Sequence, residues 1–261
     1  MKAPPFAYAK PKTLAEALSL LERPGAKALA GGQSLIPSLN MRLSSPELLV
    51  DITGLKELEG ISYEKNLLRI GALTTHAQLG RDALVQKHVP LLAQAVPHIA
   101  HAAIRNRGTL GGSLALADPA AEYPACAVAL NAVFILKSVS SERRIAAENF
   151  FKGLFETDLR PGELLVAAEF PSGGKSAFFE LTRRQGDYAI IGLAVHDSRF
   201  VFFNAGPKPV LLKKTSSLKE ATSSLKSEVN PPADLYHSSA TKLHLAGVLL
   251  ERAWTTLSKP H

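Results

Sequence analysis

Two pairs of adjacent glycines constrain the fold of this 261-residue chain more than any other feature of its sequence. Gly31 and Gly32 lie within the stretch LAGGQSLI, and Gly111 and Gly112 lie within TLGGSLALADPAAEYP. Adjacent glycines allow a backbone to approach another group closely, because no Cβ intervenes. Their N–H groups can point together at an anion, as in many phosphate sites. Two such loops, eighty residues apart, could hold the halves of one diphosphate from opposite sides.

Neither pair fits the common nucleotide-binding motifs. No GxGxxG opens a helix, and no GxxxxGK[ST] phosphate loop is present. A third pair, Gly173-Gly174, lies between Pro171 and Lys175, a pattern typical of a turn. The diphosphate site is therefore predicted from the two loops only together with their surroundings.

The composition is typical of a soluble globular protein, with 46% hydrophobic and 20% charged residues. No run of about eighteen apolar residues is present, so we expect no transmembrane segment. The N-terminal MKAPP lacks the apolar core of a signal peptide. The single cysteine, Cys126, excludes an intrachain disulfide and an iron–sulfur cluster held by this chain alone. We therefore predict a cytoplasmic protein in which Cys126 is a buried structural residue.

The formal net charge of +7 raises the question of nucleic-acid binding. The basic residues are scattered in pairs such as Arg143-Arg144, without a recognition helix, a zinc pattern or an aromatic-rich basic strand. We predict no nucleic-acid partner and expect most of these side chains on the solvated surface. A positive face could instead serve an acidic protein partner or steer an anionic nucleotide.

The N-terminal residues have the pattern of a strand–helix–strand unit. Thr13 and Glu16 form a capping box that begins a helix. A strand over 27–30 runs into the first glycine pair, Ser34 caps the helical turn that follows, and 48–51 forms a second strand. The first glycine pair would thus lie at the carboxyl end of a strand, where parallel sheets bind their ligands.

The middle of the chain mixes helix and strand patterns. Thr75 and Gln78 form a capping box for a helix that ends before Pro90. The segment 105–113, with the second glycine pair, is expected to be extended or looped. The other expected elements are a hairpin of 61–64 and 67–71, helices over 91–103 and 120–131, and strands over 133–137, 143–145 and 163–170.

The C-terminal part predicts a small antiparallel sheet backed by helices. Its expected strands are 177–184, 188–196 and 199–204. A segment rich in Ser and Lys follows over 213–227, and an amphipathic helix closes the chain.

No group of residues in the sequence indicates catalysis by this chain alone. His98 and His101 lie three apart on an expected helix, but two histidines make a weak metal site, and packing is the better explanation. No GxSxG nucleophile motif is present. We predict no catalytic side chain and no metal site, which suits a protein whose cofactor supplies the chemistry.

Six motifs follow one another along the chain: AGGQSLIP (30–37), IRNRGTLGG (104–112), ADPAAEYP (117–124), PGELL (161–165), RRQGDYA (183–189) and AGVLLERA (246–253). Together they resemble the FAD-binding medium subunit of the molybdenum hydroxylases, the family of carbon monoxide dehydrogenase and xanthine dehydrogenase. The resemblance runs from about residue 6 to residue 253. It implies an α+β chain with a PCMH-type FAD-binding fold, residues 1–172, made of two α/β subdomains at about 1–55 and 56–172. A shortened C-terminal flavoprotein domain, 173–261, would follow, with a small antiparallel sheet and helices.

The resemblance also implies FAD as the cofactor. Residues 30–34 and 109–113 would cradle its diphosphate through backbone N–H groups and hydroxyls. Glu122 matches a position, often Asp in the family, that binds ribose or adenosine hydroxyls. Its alternative role is that of a negative charge favoured at a helix N-terminus.

Other matching positions concern the flavin ring. Ala100 and Leu165 match residues that line the flavin pocket, and Asp187-Tyr188 matches a Gly-Asp-aromatic motif whose ring can cover the flavin. Core packing is the alternative for each of these side chains. The cofactor-binding residues implied by the resemblance are Lys27, Ala30, Gly31, Gly32, Gln33, Ser34, Leu35, Ala100, Thr109, Gly111, Gly112, Ser113, Glu122, Leu165, Asp187 and Tyr188.

The sequence departs from the family at some positions. Phe179 replaces a lysine that xanthine dehydrogenases place shortly before the arginine pair. The segment after His196 is short, which puts the partner contacts of the C-terminal domain in doubt. A four-cysteine iron–sulfur insert found in some relatives is absent.

The function implied by the resemblance is electron transfer within a larger complex. Electrons would pass from a [2Fe-2S] small subunit through FAD to an external acceptor such as NAD, a quinone or oxygen. A molybdenum-cofactor large subunit would oxidise the substrate, in a heterotrimer that itself dimerises. Two alternatives stay open: a self-sufficient PCMH-type flavin oxidase or dehydrogenase, and a non-catalytic binding module that has lost flavin.

Overall fold

The computed structural model describes residues 2–213 and 217–258 of the chain. Within these ranges a three-stranded, a five-stranded and a four-stranded β-sheet follow one another in sequence, and a separate two-stranded ribbon is also present. Helices pack between and around the sheets.

The first sheet is parallel and surrounds the first glycine pair. Its elements are β1 (Ala7–Ala9), α1 (Leu14–Leu21), β2 (Ala26–Leu29), α2 (Leu35–Asn40) and β3 (Leu48–Asp51). The strand order is β1-β3-β2, so β3 is central. Gly31 and Gly32 follow β2 at the carboxyl end of the sheet, as predicted. The strand β1 is an addition that the sequence pattern did not indicate.

The two predicted helix caps in this region differ from expectation. Thr13 caps α1, since its side chain accepts a hydrogen bond from the Glu16 N–H at 3.2 Å. The Glu16 carboxylate, however, accepts from the Lys12 N–H, so the capping box is not closed. Ser34 precedes α2, but its side chain makes no capping hydrogen bond.

The second sheet is antiparallel throughout. Its strands are β4 (Ile61–Glu64), β5 (Leu67–Gly71), β6 (Val133–Lys137), β7 (Glu142–Ala146) and β10 (Leu164–Pro171), and the ribbon is β8 (Phe151–Gly153) with β9 (Glu156–Thr157). The order β4-β5-β10-β6-β7 places β10 at the centre, and this strand is buried along almost its whole length. The predicted hairpin of 61–64 and 67–71 is present.

Short helices cover this sheet. They are α3 (His76–Arg81), α4 (Ala83–His88), α5 (Pro90–Ala95), α6 (Ala102–Arg105), α7 (Leu110–Leu116), α8 (Glu122–Ala129) and α9 (Ala147–Phe150), with 3-10 turns at Lys56–Leu58 and Val96–His98. The Thr75–Gln78 capping box is formed. The helix that it begins ends early, because Asp82 caps a new helix by accepting from the N–H groups of Leu84 and Val85.

The prediction of one helix over 91–103 is wrong. After α5 the chain forms a 3-10 turn that contains Pro97, which has no N–H to continue the helical hydrogen bonding. Ala100 then adopts a left-handed φ of +39° before α6 begins. His98 and His101 therefore lie on different elements, and not on one helix face.

The prediction that residues 105–113 are extended or looped is correct for 106–109 but wrong for 110–113, because α7 begins at Leu110. Thr109 caps this helix by accepting from the Gly112 N–H at 3.1 Å. Leu110 and Leu114, one turn apart, are both fully buried. This packing stabilises a helix that its two glycines disfavour.

The third sheet forms the C-terminal part. Its elements are β11 (Ser176–Leu181), β12 (Ile191–His196), β13 (Arg199–Phe203), β14 (Val210–Leu211), α10 (Leu218–Glu228) and α11 (Ser239–Leu257). The strand order is β11-β12-β13-β14, antiparallel throughout. Two predicted strands are shorter than expected, since residues 182–190 form a loop. The Ser- and Lys-rich segment 213–227 contains α10, and its residues 214–216 lie outside the described part.

Both faces of the third sheet are covered. Ala194, Val201 and Phe203 belong to the same buried cluster as the apolar residues of α5 and α8. Leu193 and Phe202 face the other way, into a cluster with α10 and α11. The third sheet thus packs directly on the helices that surround the glycine region. None of the helices in the two described ranges is both long and apolar enough to cross a membrane.

Candidate functional site

The fold brings the two glycine pairs together. An ideal Cβ on Gly31 would lie 2.8 Å from the carbonyl carbon of Arg107 and 2.9 Å from the Cα of Gly108. The first glycine loop therefore rests on the backbone that leads into the second pair. A Cβ on Gly112 would lie 3.9 Å from the Cβ of Ala30, so these two residues also face each other.

The first loop presents unpaired N–H groups. Gly32 has a left-handed φ of +73°. The N–H groups of Gly32, Gln33 and Ser34 find no acceptor anywhere in residues 2–213 and 217–258. The carbonyls of Gly31 and Ser34, in contrast, accept from the side chains of Gln33 and Ser38. A run of free N–H groups around a left-handed glycine forms a concave anion-binding site.

The second pair has a different geometry from the expected loop. The N–H of Gly111 donates to the Ala72 carbonyl at 2.8 Å, and that of Gly112 donates to the Thr109 hydroxyl. A Cβ on Gly111 would lie 2.5 Å from the Cβ of Ala72. Gly111 is therefore required for packing, and the two N–H groups are already bonded within the chain. The Ser113 hydroxyl has no partner in the described part of the chain and remains a donor for a ligand.

Two carboxyl groups lie where α8 begins. Burial, with the nearby charge of Asp118, raises the pKa of Glu122 to about 7. Burial also raises the pKa of Asp118, whose carboxylate accepts from the Ala120 N–H at 2.9 Å. Carboxyl groups that are partly removed from water and short of donors are suited to accept hydrogen bonds from ligand hydroxyls.

The Gly-Asp-Tyr motif lies in the 182–190 loop rather than on a strand. Asp187 is exposed, and its N–H donates to the Arg184 carbonyl at 3.1 Å. The Tyr188 side chain is 75% exposed. Partial burial of its hydroxyl, followed by the charges of Asp118 and Glu122, raises the Tyr188 pKa. Tyr188 is therefore on the same side of the protein as the two carboxyl groups.

Three of the predicted site residues have notable surroundings. Ala100 forms the left-handed turn beside this loop. Lys27 is exposed on β2. Leu165 is only 3% exposed and packs in the core cluster, because β10 is the central strand of its sheet.

Sequence reasoning missed two residues beneath the site, Arg105 and His76. Burial, and then the charge of Arg105, lowers the pKa of His76 to about 4, so the imidazole is neutral. A Cβ on Gly108 would lie 2.6 Å from the His76 Nε2 atom. Arg105 lies within the IRNRGTLGG motif, but the spacing of residues in this motif does not indicate which groups the Arg105 side chain contacts. Over residues 2–213 and 217–258, no group of three or more His, Cys, Asp or Glu side chains is arranged to hold a metal ion.

Known proteins match this chain in sequence and in structure. Residues 4–173 match the family described as the FAD binding domain in molybdopterin dehydrogenase. The glyceraldehyde dehydrogenase medium chain of Sulfolobus acidocaldarius is 36% identical, over 97% of this chain and 99% of the relative. The carbon monoxide dehydrogenase medium chain of Hydrogenophaga pseudoflava is 40% identical, over 75% of this chain and 70% of the relative.

A solved structure supports the same assignment. In carbon monoxide dehydrogenase from Hydrogenophaga pseudoflava, crystallised without the Mo-pyranopterin moiety, one chain superimposes with a TM-score of 0.92 at 33% identity. The match covers 98% of both chains. The predicted α+β flavin fold and the predicted cofactor, FAD, are thereby confirmed. This chain is an oxidoreductase flavoprotein and belongs to the FAD-binding subunits of the molybdenum hydroxylase family.

Proposed function

We propose that this chain carries electrons from the iron–sulfur clusters of a partner subunit, through FAD, to an external acceptor. The observation that carries the proposal is the row of free N–H groups at Gly32, Gln33 and Ser34, placed against Ala30 and Gly112. A phosphate needs several converging donors, and these three neighbouring N–H groups have no acceptor in the described chain.

The FAD diphosphate would bind at the meeting of the two glycine pairs. The free N–H groups of the first loop would hold one phosphate, and the Ser113 hydroxyl would contact the other. Thr109 and Gly111 would act indirectly, because they fix the start of α7 and allow it to pack on Ala72. Gly31 would keep the first loop close to this helix, and Leu35 would anchor the turn that follows.

The remaining proposed residues surround the rest of the cofactor. Glu122 would accept hydrogen bonds from ribose or adenosine hydroxyls. Tyr188, next to Asp187, would cover the flavin ring, with the Ala100 turn as a second wall. Lys27 and Leu165 would support the site from β2 and from the core. Bound FAD exchanges electrons one or two at a time, whereas these side chains bind it, orient it and exclude water.

The partners are proposed from the relatives. Two of them are named as medium chains of dehydrogenases, which fits a complex with a molybdenum-cofactor large subunit and a [2Fe-2S] small subunit. We propose a heterotrimer that dimerises in the cytoplasm, with residues 1–172 and 173–261 as its FAD-binding and C-terminal domains. The acceptor stays open among NAD, a quinone and oxygen.

A self-sufficient flavin enzyme is the second possibility. It would need a base or acid aimed at a substrate, and His76, the buried histidine nearest the site, is neutral and enclosed. Nothing in the geometry favours this alternative.

The visible absorption spectrum of the purified protein, before and after acid release of its chromophore, tests the proposal. We expect flavin bands and released FAD, and bleaching of these bands when the reduced iron–sulfur partner is mixed with the protein. A colourless protein that fails to take up added FAD would support the binding-module alternative. A bound flavin that the reduced partner leaves oxidised would contradict the electron-transfer step alone.

A further inference from the structure

One guanidinium group holds the strained turn beside the site. Ala100 has a φ of +39°, a left-handed value that residues other than glycine rarely adopt. The Nη1 atom of Arg105 donates to the carbonyls of Ile99 at 2.8 Å and Ala100 at 2.7 Å. Such conformations persist when surrounding contacts determine them, and they cluster at functional sites.

The loop that carries Tyr188 rests on this turn. A Cβ on Gly186 would lie 2.9 Å from the Ala100 carbonyl oxygen and 3.1 Å from the His101 Nδ1 atom. Gly186 also has a left-handed φ of +86°. The loop backbone thus contacts the same carbonyl oxygen that Arg105 holds, two residues before Tyr188.

Arg105 is not held there by a carboxylate. In residues 2–213 and 217–258 its guanidinium makes no ion pair, and it donates hydrogen bonds to the two carbonyls. Its charge acts on His76 and Tyr123, which are both buried and uncharged. Placing a partly buried cation without a counter-ion costs free energy. The hydrogen bonds from Arg105 to the two carbonyls of the turn are therefore its structural role.

We propose that Arg105 is a positioning residue for the flavin cover. Arg105 fixes the position of the Ala100 carbonyl, and this carbonyl limits where the Gly186 backbone can lie. The Gly186 backbone in turn sets the position of Tyr188 against the flavin. This inference rests on the proposed function, because it requires FAD at the site.

The fluorescence of bound FAD provides the test. An aromatic ring stacked on a flavin quenches its emission, so Tyr188→Leu should raise the emission of the bound cofactor. Arg105→Gln should raise it to a similar extent and weaken FAD binding by about tenfold, because two charge-assisted hydrogen bonds are lost. Arg105→Lys keeps the charge and three donors. Its emission and its FAD affinity should therefore both be closer to the wild-type values than those of Arg105→Gln. Arg23→Gln removes an exposed charge that precedes the amino end of β2, the end opposite the glycine pair, and should change neither quantity.

A second variant addresses the same contact from the loop. Gly186→Ala should raise the emission in the same way, and combining it with Arg105→Gln should add little, because both act through one carbonyl. This variant also keeps the test decisive if Arg105→Gln does not fold. Arg105→Gln with a lower melting temperature but wild-type emission and affinity would overturn the inference, as would wild-type emission in Gly186→Ala. Failure of the wild-type protein itself to bind FAD would instead overturn the proposed function.

Discussion

Gly31 lies against the carbonyl group of Arg107 so closely that a single added carbon has no space. This contact joins the carboxyl end of the parallel sheet to the segment that leads into α7. It explains why two glycine pairs, far apart in sequence, belong to one site. Gly31 therefore allows two backbone segments of the protein to lie close together, and it would also allow a ligand to lie close to the first loop.

Gly31→Ala should abolish measurable FAD binding, because the first loop must move away from Arg107 and its N–H groups lose their alignment with Gly112. Gly54→Ala is the matched control, since a Cβ there would meet only the flexible end of Lys10 at 3.6 Å. Titration with FAD, followed by absorption, measures both variants. Unchanged affinity in Gly31→Ala would remove the first loop from the site.

The adjacent glycines of the second pair should behave differently from each other. Gly111→Ala forces a carbon against Ala72 at 2.5 Å and should lower the free energy of unfolding by about 1–3 kcal/mol. In Gly112→Ala the added carbon meets the Thr109 hydroxyl at 2.9 Å and lies in ordinary contact with Ala30 at 3.9 Å, so the variant should cost about 1 kcal/mol through the weakened cap. Its larger effect should be on FAD affinity, because Gly112 is exposed beside Ala30. Urea unfolding of the apoprotein and FAD titration separate the two effects, and equal behaviour of the variants would contradict this difference.

Glu180 should make stability depend on pH. Its side chain is fully buried, both oxygens lack hydrogen bonds in the described structure, and His98 Nδ1 lies 3.4 Å away. Burial, followed by the charge of Glu122, raises its pKa from 4.5 to about 8. The folded state therefore binds this proton more tightly than the unfolded state does. The contribution of Glu180 to the free energy of unfolding is therefore fully present below about pH 4.5 and is lost as the pH rises towards about 8.

Glu180→Gln should weaken this dependence and leave the part that the raised pKa values of Glu122 and Asp118 contribute. We expect the free energy of unfolding of the variant to exceed that of the wild type by a few kcal/mol at about pH 8.5. At about pH 4.5 the two free energies should be closer. Urea unfolding at the two values measures the difference. Glu64→Gln, at an exposed position, is the control. It should leave the free energy of unfolding unchanged at both pH values. A wild-type pH profile in Glu180→Gln would show that another group is responsible.

The ion pair between the buried Lys242 and the exposed Asp234 should be important for the C-terminal helix. Lys242 is 2% exposed, and its Nζ atom lies 2.8 Å from Asp234. Asp234→Asn leaves a buried lysine without its counter-ion and should cost about 1–3 kcal/mol, because the carboxylate side of the pair is 39% exposed to water. Adding Lys242→Met should recover much of this loss. The exposed pair Lys56–Glu59 is the control, and Glu59→Gln should cost less than about 1 kcal/mol in the same unfolding experiment.

Much of the fold could be predicted from local patterns. The hairpin of 61–64 and 67–71, the caps at Thr13 and Thr75 and the burial of Cys126 follow from periodicity and side-chain chemistry, and all are present. The family motifs led to FAD, which the comparisons confirm.

The failures have two physical causes. The helix α7 forms where two glycines disfavour it, because Leu110 and Leu114 bury one face against the core. Residues 91–103 carry a helical pattern, yet Pro97 and the contacts of Ala100 interrupt it. In the first case packing outweighs local preference, and in the second a proline within the segment ends the helical hydrogen bonding.

The sequence by itself determined most of the strands, the two glycine pairs and the acidic residue at the start of α8. Only the tertiary structure decided which N–H groups stay free: those of the first loop remain unpaired, whereas Ala72 and Thr109 take those of the second pair. It also decided that Arg105 holds the Ala100 turn. These outcomes depend on packing and backbone geometry in three dimensions, such as the contact between Gly111 and Ala72, and no local spacing in the sequence encodes them.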